Sequence, residues 1–272
     1  MKFVALLAAT TAMVVSVPAM AQSRDRSQDF NGGYISVVGG KSLQPNDVGE
    51  SIVFDTDGDG NFDNTVLDGS SQNAFNRGFC NGAANSAAVN DCRNDKDGAQ
   101  YFARVGVDKR SGNFVIGALL EGGRDESIDS VSAFDGLNAY TLSRKAKWNA
   151  GARLRAGYTP NGGALFYVTG GGSYARLKNS FSTTNLVNPI SDTGNSNAWG
   201  WSAGGGAEVM LANNLSLGLE YLYTDVKDDD YVANIGAATA AGALLVPNGV
   251  DLQRSSDNFR THSVRGSLNF RF

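Results

Sequence analysis

Side chains with catalytic or metal-binding potential are few. His262 is the single histidine, and Cys80 and Cys92 are the two cysteines, in a chain of 272 residues. Hydrolytic and acyl-transfer chemistry needs a base within reach of a nucleophile. Ser263 follows His262 directly, but neighbours on an extended strand point to opposite faces, so these two make no such pair. His262 reads instead as an interface residue. One His and two Cys are also too few for a zinc site built from those residues. Cys80 and Cys92 lack the C-x-x-C spacing of a redox pair. In the oxidising compartment that the N-terminus predicts, they are expected to form a disulfide, contributing on the order of 3 kcal/mol through chain entropy.

One acidic stretch has metal-ligand spacing. Asp55-Thr56-Asp57-Gly58-Asp59-Gly60-Asn61-Phe62-Asp63 puts carboxylates at positions 1, 3, 5 and 9, with Gly at 6, as a calcium loop does. Position 12 is Val66 rather than a bidentate Glu, which rules out a full EF-hand. Two readings stand: a weak calcium site of extracellular type formed by Asp55, Asp57, Asp59, Asn61 and Asp63, or a solvated acidic turn. No other cofactor is expected. A second acidic cluster, Asp225 with Asp228-Asp229-Asp230, reads as solvated surface.

The elements that carry these residues follow from the pattern. A net charge of −4 leaves no electrostatic footprint for nucleic acid. Mean hydropathy is −0.23, a value typical of soluble chains. Residues 1–21 nevertheless read as a cleaved secretory signal: Lys2, an uncharged run from Phe3 to Val17, then Pro18 and Ala19-Met20-Ala21. Beyond Ala21 no apolar run approaches spanning-helix length, so membrane insertion requires a closed barrel.

Eight segments alternate as barrel strands do. They are Gly32 to Lys41, Tyr101 to Lys109, Phe114 to Arg124, Lys147 to Tyr158, Leu165 to Leu177, Trp199 to Leu211, Leu215 to Asp225 and Thr261 to Phe272. The first has ambiguous parity; the other seven keep their charges off the apolar face. The expected architecture is therefore all-β: an eight-stranded antiparallel transmembrane barrel over residues 32–272, preceded by a short periplasmic segment, 22–31. Connections alternate between long and short. The long ones, 42–100, 125–146, 178–198 and 226–260, are expected outside the cell, and short turns rich in Asn, Gly and Pro face the periplasm. The third loop reads as flexible, and Ala233–Val246 as a short helix or a disordered apolar loop.

Aromatic residues sort to the segment ends. Phe114, Tyr158, Phe166, Phe270 and Phe272 lie by the short turns; Tyr101, Trp148, Tyr174, Trp199, Trp201, Tyr221 and Tyr223 lie by the long loops. These are the positions of interfacial girdles. The inward faces carry Arg104, Asp108, Glu121, Arg153, Arg155, Glu208, Glu220, Arg265 and Arg271. Mixed signs in so narrow a barrel predict a salt-bridged plug rather than a pore.

The exported start, the Gly-aromatic first segment, Leu165 to Tyr174, Trp199-Gly200-Trp201 before a Gly run ending in Glu208, and the final Arg271-Phe272 carry a resemblance. The chain resembles the opacity-protein-like small outer-membrane barrels of Gram-negative bacteria, also described as porin-family or surface-antigen proteins. The resemblance covers the barrel segments and not the loops. It implies outer-membrane location and a non-enzymatic role in envelope integrity, adhesion or immune exposure. The ending Leu268, Phe270, Phe272 is similar to the signal read by the barrel-assembly machinery. Expected partners are that machinery, outer-membrane lipid and an extracellular partner met by the loops. The alternatives are a small diffusion channel and a barrel-type enzyme.

Overall fold

The computed structural model describes residues 26–46, 48–87, 91–240 and 244–272; the signal segment lies outside the described residues. These residues hold sixteen strands and no helix: β1 (Gly32–Leu43), β2 (Ile52–Asp55), β3 (Phe79–Asn81), β4 (Ala83–Ala84), β5 (Cys92–Arg93), β6 (Gly98–Ser111), β7 (Phe114–Asp125), β8 (Ile128–Phe134), β9 (Ala139–Tyr158), β10 (Ala164–Thr183), β11 (Ile190–Asp192), β12 (Ser196–Ala212), β13 (Leu215–Lys227), β14 (Ala233–Ile235), β15 (Val250–Arg254) and β16 (Asn258–Arg271).

Eight of them close a barrel in the order β1-β6-β7-β9-β10-β12-β13-β16, and β16 returns to β1 with Tyr34 opposite Arg271. Every pairing is antiparallel, so no edge is left to aggregate. These eight correspond to the eight alternating segments. Leu154, Val168, Leu219 and Val264 point outward and are exposed, an inversion of soluble packing that only lipid contact explains. In β1 the ambiguity resolves: Ile35 and Val37 face out, while Tyr34, Ser36 and Val38 are buried inside. Gly106, opposite Tyr34, leaves room for that inward ring; a Cβ there would lie 2.4 Å from the Tyr34 hydroxyl.

The long connections are more structured than alternation suggests. β9 and β10 are 20 residues each, about twice the length needed to cross a bilayer. Their outer halves continue as a sheet with β8 and β3. A second sheet, β11-β14-β15-β2, draws strands from the third, fourth and first loops. The loops share one apolar core that includes Phe54, Phe75, Val131, Leu142, Ile235 and Leu252. The third loop is thus tied down by β11. Within Ala233–Val246 no helix is found among the described residues: Ala233 and Ile235 of β14 are buried in this core, and the rest of the described stretch is an apolar loop whose Leu244 and Val246 pack into the same core rather than being disordered. Asp228 is likewise not solvated: it is 7% exposed, and burial raises its pKa against hydrogen bonds from Ser196 and Asn179.

Candidate functional site

Alternation aims every inward charge at the barrel axis, and pairing brings the charges together in two tiers. In the middle tier Arg104 donates to Glu121 Oε2 through Nε at 3.0 Å and Nη2 at 2.8 Å, and to Glu220 Oε1 at 2.9 Å. Arg153 Nη2 reaches Glu121 Oε2 at 2.9 Å, and Arg265 Nη1 reaches Glu121 Oε1 at 3.0 Å. The Tyr167 hydroxyl donates to Glu220 Oε2 at 3.0 Å. In the tier nearer the short turns Arg155 pairs with Asp108 and, at 3.1 Å, with Glu208. Arg271 bridges the same two carboxylates, at 2.9 Å to Asp108 and 2.7 Å to Glu208. The Arg155 and Arg271 guanidinium groups each lie 4.8 Å from the Tyr34 ring centre, a cation–π stack. All nine inward charges named from the sequence belong to these tiers.

Both mouths are closed. At the short-turn end the described part of the N-terminal segment folds across the opening. Phe30, fully buried at a φ of 60°, packs with Val115, Leu165 and Tyr167 under Arg271. Arg110 Nη1 holds this segment through the carbonyls of Arg26, at 2.5 Å, and Asp29, at 3.2 Å. At the outer end Ala146, Ala175, Leu177, Ala198, Val226 and Phe259 form an apolar layer. The lumen cavity between, lined by Phe102, Glu121, Thr261 and Arg265 among others, measures about 30 Å³, room for about one or two waters.

A further buried ion cluster, not legible in the sequence, ties the loops together. Arg254 donates to both oxygens of Glu50, at 2.7 and 2.6 Å, and to Asp129 Oδ1 at 2.7 Å. Arg144 Nε takes Asp129 Oδ2 at 2.7 Å. Burial opposes ionisation of Asp129, yet the two arginines hold its pKa below the usual carboxylate value. The cluster draws single charges from distant segments, Glu50 before β2, Asp129 in β8, Arg144 in β9 and Arg254 in β15, so no local period marks it.

The remaining candidates sit apart from the lumen. Cys80 and Cys92 form a disulfide with Cα atoms 6.5 Å apart. Asp55, Asp57 and Asp59 bring carboxylate oxygens within 4.8 Å of one another. Asp55 already accepts backbone N–H groups from Gly58 at 2.7 Å and Gly60 at 2.8 Å. Asn61 donates to Asp59 at 2.9 Å, and Asp63 accepts from Asn64 at 3.2 Å. His262 lies on the outside, its Nδ1 2.6 Å from the Tyr221 hydroxyl, while Ser263 is buried inside. Leu268, Phe270 and Phe272 face lipid, and the Phe272 N–H bonds the Gly33 carbonyl at 3.1 Å.

Comparison with known proteins agrees with this architecture. The chain is 30% identical over 159 residues to the 31 kDa outer-membrane immunogenic protein of Brucella melitensis, covering 58% of this chain and 59% of that protein. It therefore spans about three fifths of that relative's length. It is 32% identical over 164 residues to the 22 kDa outer membrane protein of Rhizobium leguminosarum, covering 59% of this chain and 69% of that one. Among solved structures, the outer membrane protein OprG from Pseudomonas aeruginosa aligns over 90% of this chain and 98% of its own, at 13% identity and a TM-score of 0.48. Residues 7–272 match the family described as outer membrane protein beta-barrel domain, and the chain, a closed eight-stranded barrel with a lipid-facing apolar wall, belongs to that outer-membrane family.

Proposed function

We propose that this protein is a non-enzymatic surface protein of the outer membrane, and that its folded extracellular cap, not its lumen, meets partners. One observation carries the reading: the barrel axis is filled by a network of paired arginines and carboxylates and closed at both ends. A path for solutes would require several buried ion pairs to break together, and each broken pair costs about 3–5 kcal/mol. The sole histidine has its Nδ1 engaged by Tyr221 and stands on the opposite face from Ser263, which supports a non-enzymatic role. Residues 1–21 would be removed on export, and Leu268, Phe270 and Phe272 would present the assembly signal. The test is conductance in planar bilayers. Purified protein is expected to give background current; reproducible single-channel steps abolished by lumen substitutions would replace this reading with a diffusion channel.

A further inference from the structure

The protein's net charge is −4, yet one outward face sets the cations Lys41, Arg93, Lys96, Lys145 and Lys178 against only two carboxylates, Asp95 and Asp97. Above the outer aromatic girdle, β8, β9 and β10 continue as a sheet, and the segment Arg93–Asp97 of the first loop joins its β8 edge through Lys96. Together they enclose a cleft of about 1300 Å³. Lys96 bridges Ile128, Ile128 pairs with Lys145, and Lys145 pairs with Lys178. Directly opposed residues share a face, so Lys96, Lys145 and Lys178 stand in one lateral row across the sheet, all lining the cleft. At strand spacing this row spans about 15 Å. Like charges directly opposed across strands destabilise a sheet. Among the described residues Lys96, Lys145 and Lys178 have no carboxylate partner, whereas Lys41 at the cleft edge is paired with Asp97 at 2.7 Å. The next rung, Ser143 opposite Ser180, adds hydroxyl groups, with Ser143 Oγ 2.9 Å from Ser130 Oγ.

The level of this row identifies its counter-ion. Trp148, Tyr174 and Trp199 pack at centroid distances of 5.3 and 4.7 Å just below it on the same wall. Such rings mark the bilayer boundary. At Arg176/Leu177 a register shift leaves two more exposed cations here: Arg176 level with Trp148, and Lys147 between that ring and the lysine row. The cations therefore stand where the headgroups of the outer leaflet lie, on the side that faces lipid. We propose that this face of β9 and β10 binds the phosphate-bearing headgroup of an outer-leaflet glycolipid, with Lys145 and Lys178 as the central phosphate contacts.

Native mass spectrometry of the full chain in neutral detergent, titrated with bis-phosphorylated lipid A or with the same glycolipid stripped of phosphate, tests this. Wild type is expected to retain the phosphorylated form preferentially. The double variant Lys145→Gln/Lys178→Gln should bind it about thirtyfold more weakly, while Lys109→Gln, at the periplasmic end, binds as wild type. Heat-dependent gel mobility verifies that each variant is folded. Equal retention by the double variant, or equal retention of the stripped glycolipid by wild type, overturns the proposal. Displacement of lipid A by a soluble sulfated glycan at equal concentration also overturns it, in favour of a soluble polyanion.

Discussion

Glu121 accepts hydrogen bonds from three arginines, and Tyr167 donates to its neighbour Glu220. Replacing Glu121 by Gln leaves three buried guanidinium groups facing one carboxylate. The expected cost is about 3–5 kcal/mol, read as a lower urea midpoint in detergent; an unchanged midpoint would show that water already screens the lumen. Asp95, in the first loop, behaves differently. Burial, reinforced by the nearby negative charge of Asp129, lifts its carboxyl from the usual 3.8 to about 7; the Ser130 N–H and Arg254 oppose the rise, and Glu50 adds to it. A raised carboxyl pKa means that the folded state holds the proton more tightly than the unfolded chain. Stability from this group is present below about pH 4 and declines as pH rises towards 7. Asp95→Asn should therefore flatten the pH dependence of cap stability over that window, measured by hydrogen exchange of loop-one amides.

The elements divide by what specifies them. Barrel strands were legible because lipid outside and a packed lumen inside impose strict two-residue alternation. Their intervals differ from the observed strands chiefly at the outer ends, where β9 begins at Ala139 rather than at Lys147. Above the bilayer both faces of a strand meet protein. In β8 every residue from Asp129 to Phe134 is buried, so alternation disappears and with it the signal. The small strands β3, β4 and β5 depend on the Cys80–Cys92 link and on short ladders. Reducing that disulfide removes a constraint of roughly 3 kcal/mol. Protease cleavage in the first loop is expected to accelerate while the barrel keeps its heat-dependent gel mobility; unchanged cleavage would show that the shared core alone holds the loop.

At the scale of the molecule, the protein is a sealed cylinder carrying a folded cap. The cap core takes Ile52, Phe54, Val66 and Phe75 from the first loop and packs them on Tyr140, Leu142 and Leu252 from the others. Deleting residues 48–96 would therefore strip the other loops of their covering. Increased proteolysis of the second and fourth loops is expected alongside any loss of partner binding; protection of those loops in the deletion variant would show that the loops fold independently. Surface substitutions, not loop truncations, are the means of locating a partner site on such a cap.

The sequence by itself determined the barrel, its strand count, the inward charges and the aromatic girdles, because a bilayer allows few solutions and each leaves a local period; it determined the cysteine pair because an exported chain with two cysteines has one way to oxidise them internally. Tertiary structure decided what local order does not encode. It set the parity of β1, the partition of charges into two tiers, the closure of both mouths, the Glu50–Asp129–Arg144–Arg254 cluster, and the lysine row above the girdle. Those features join residues from distant strands and loops, and their energetics exist only once the register has placed them side by side.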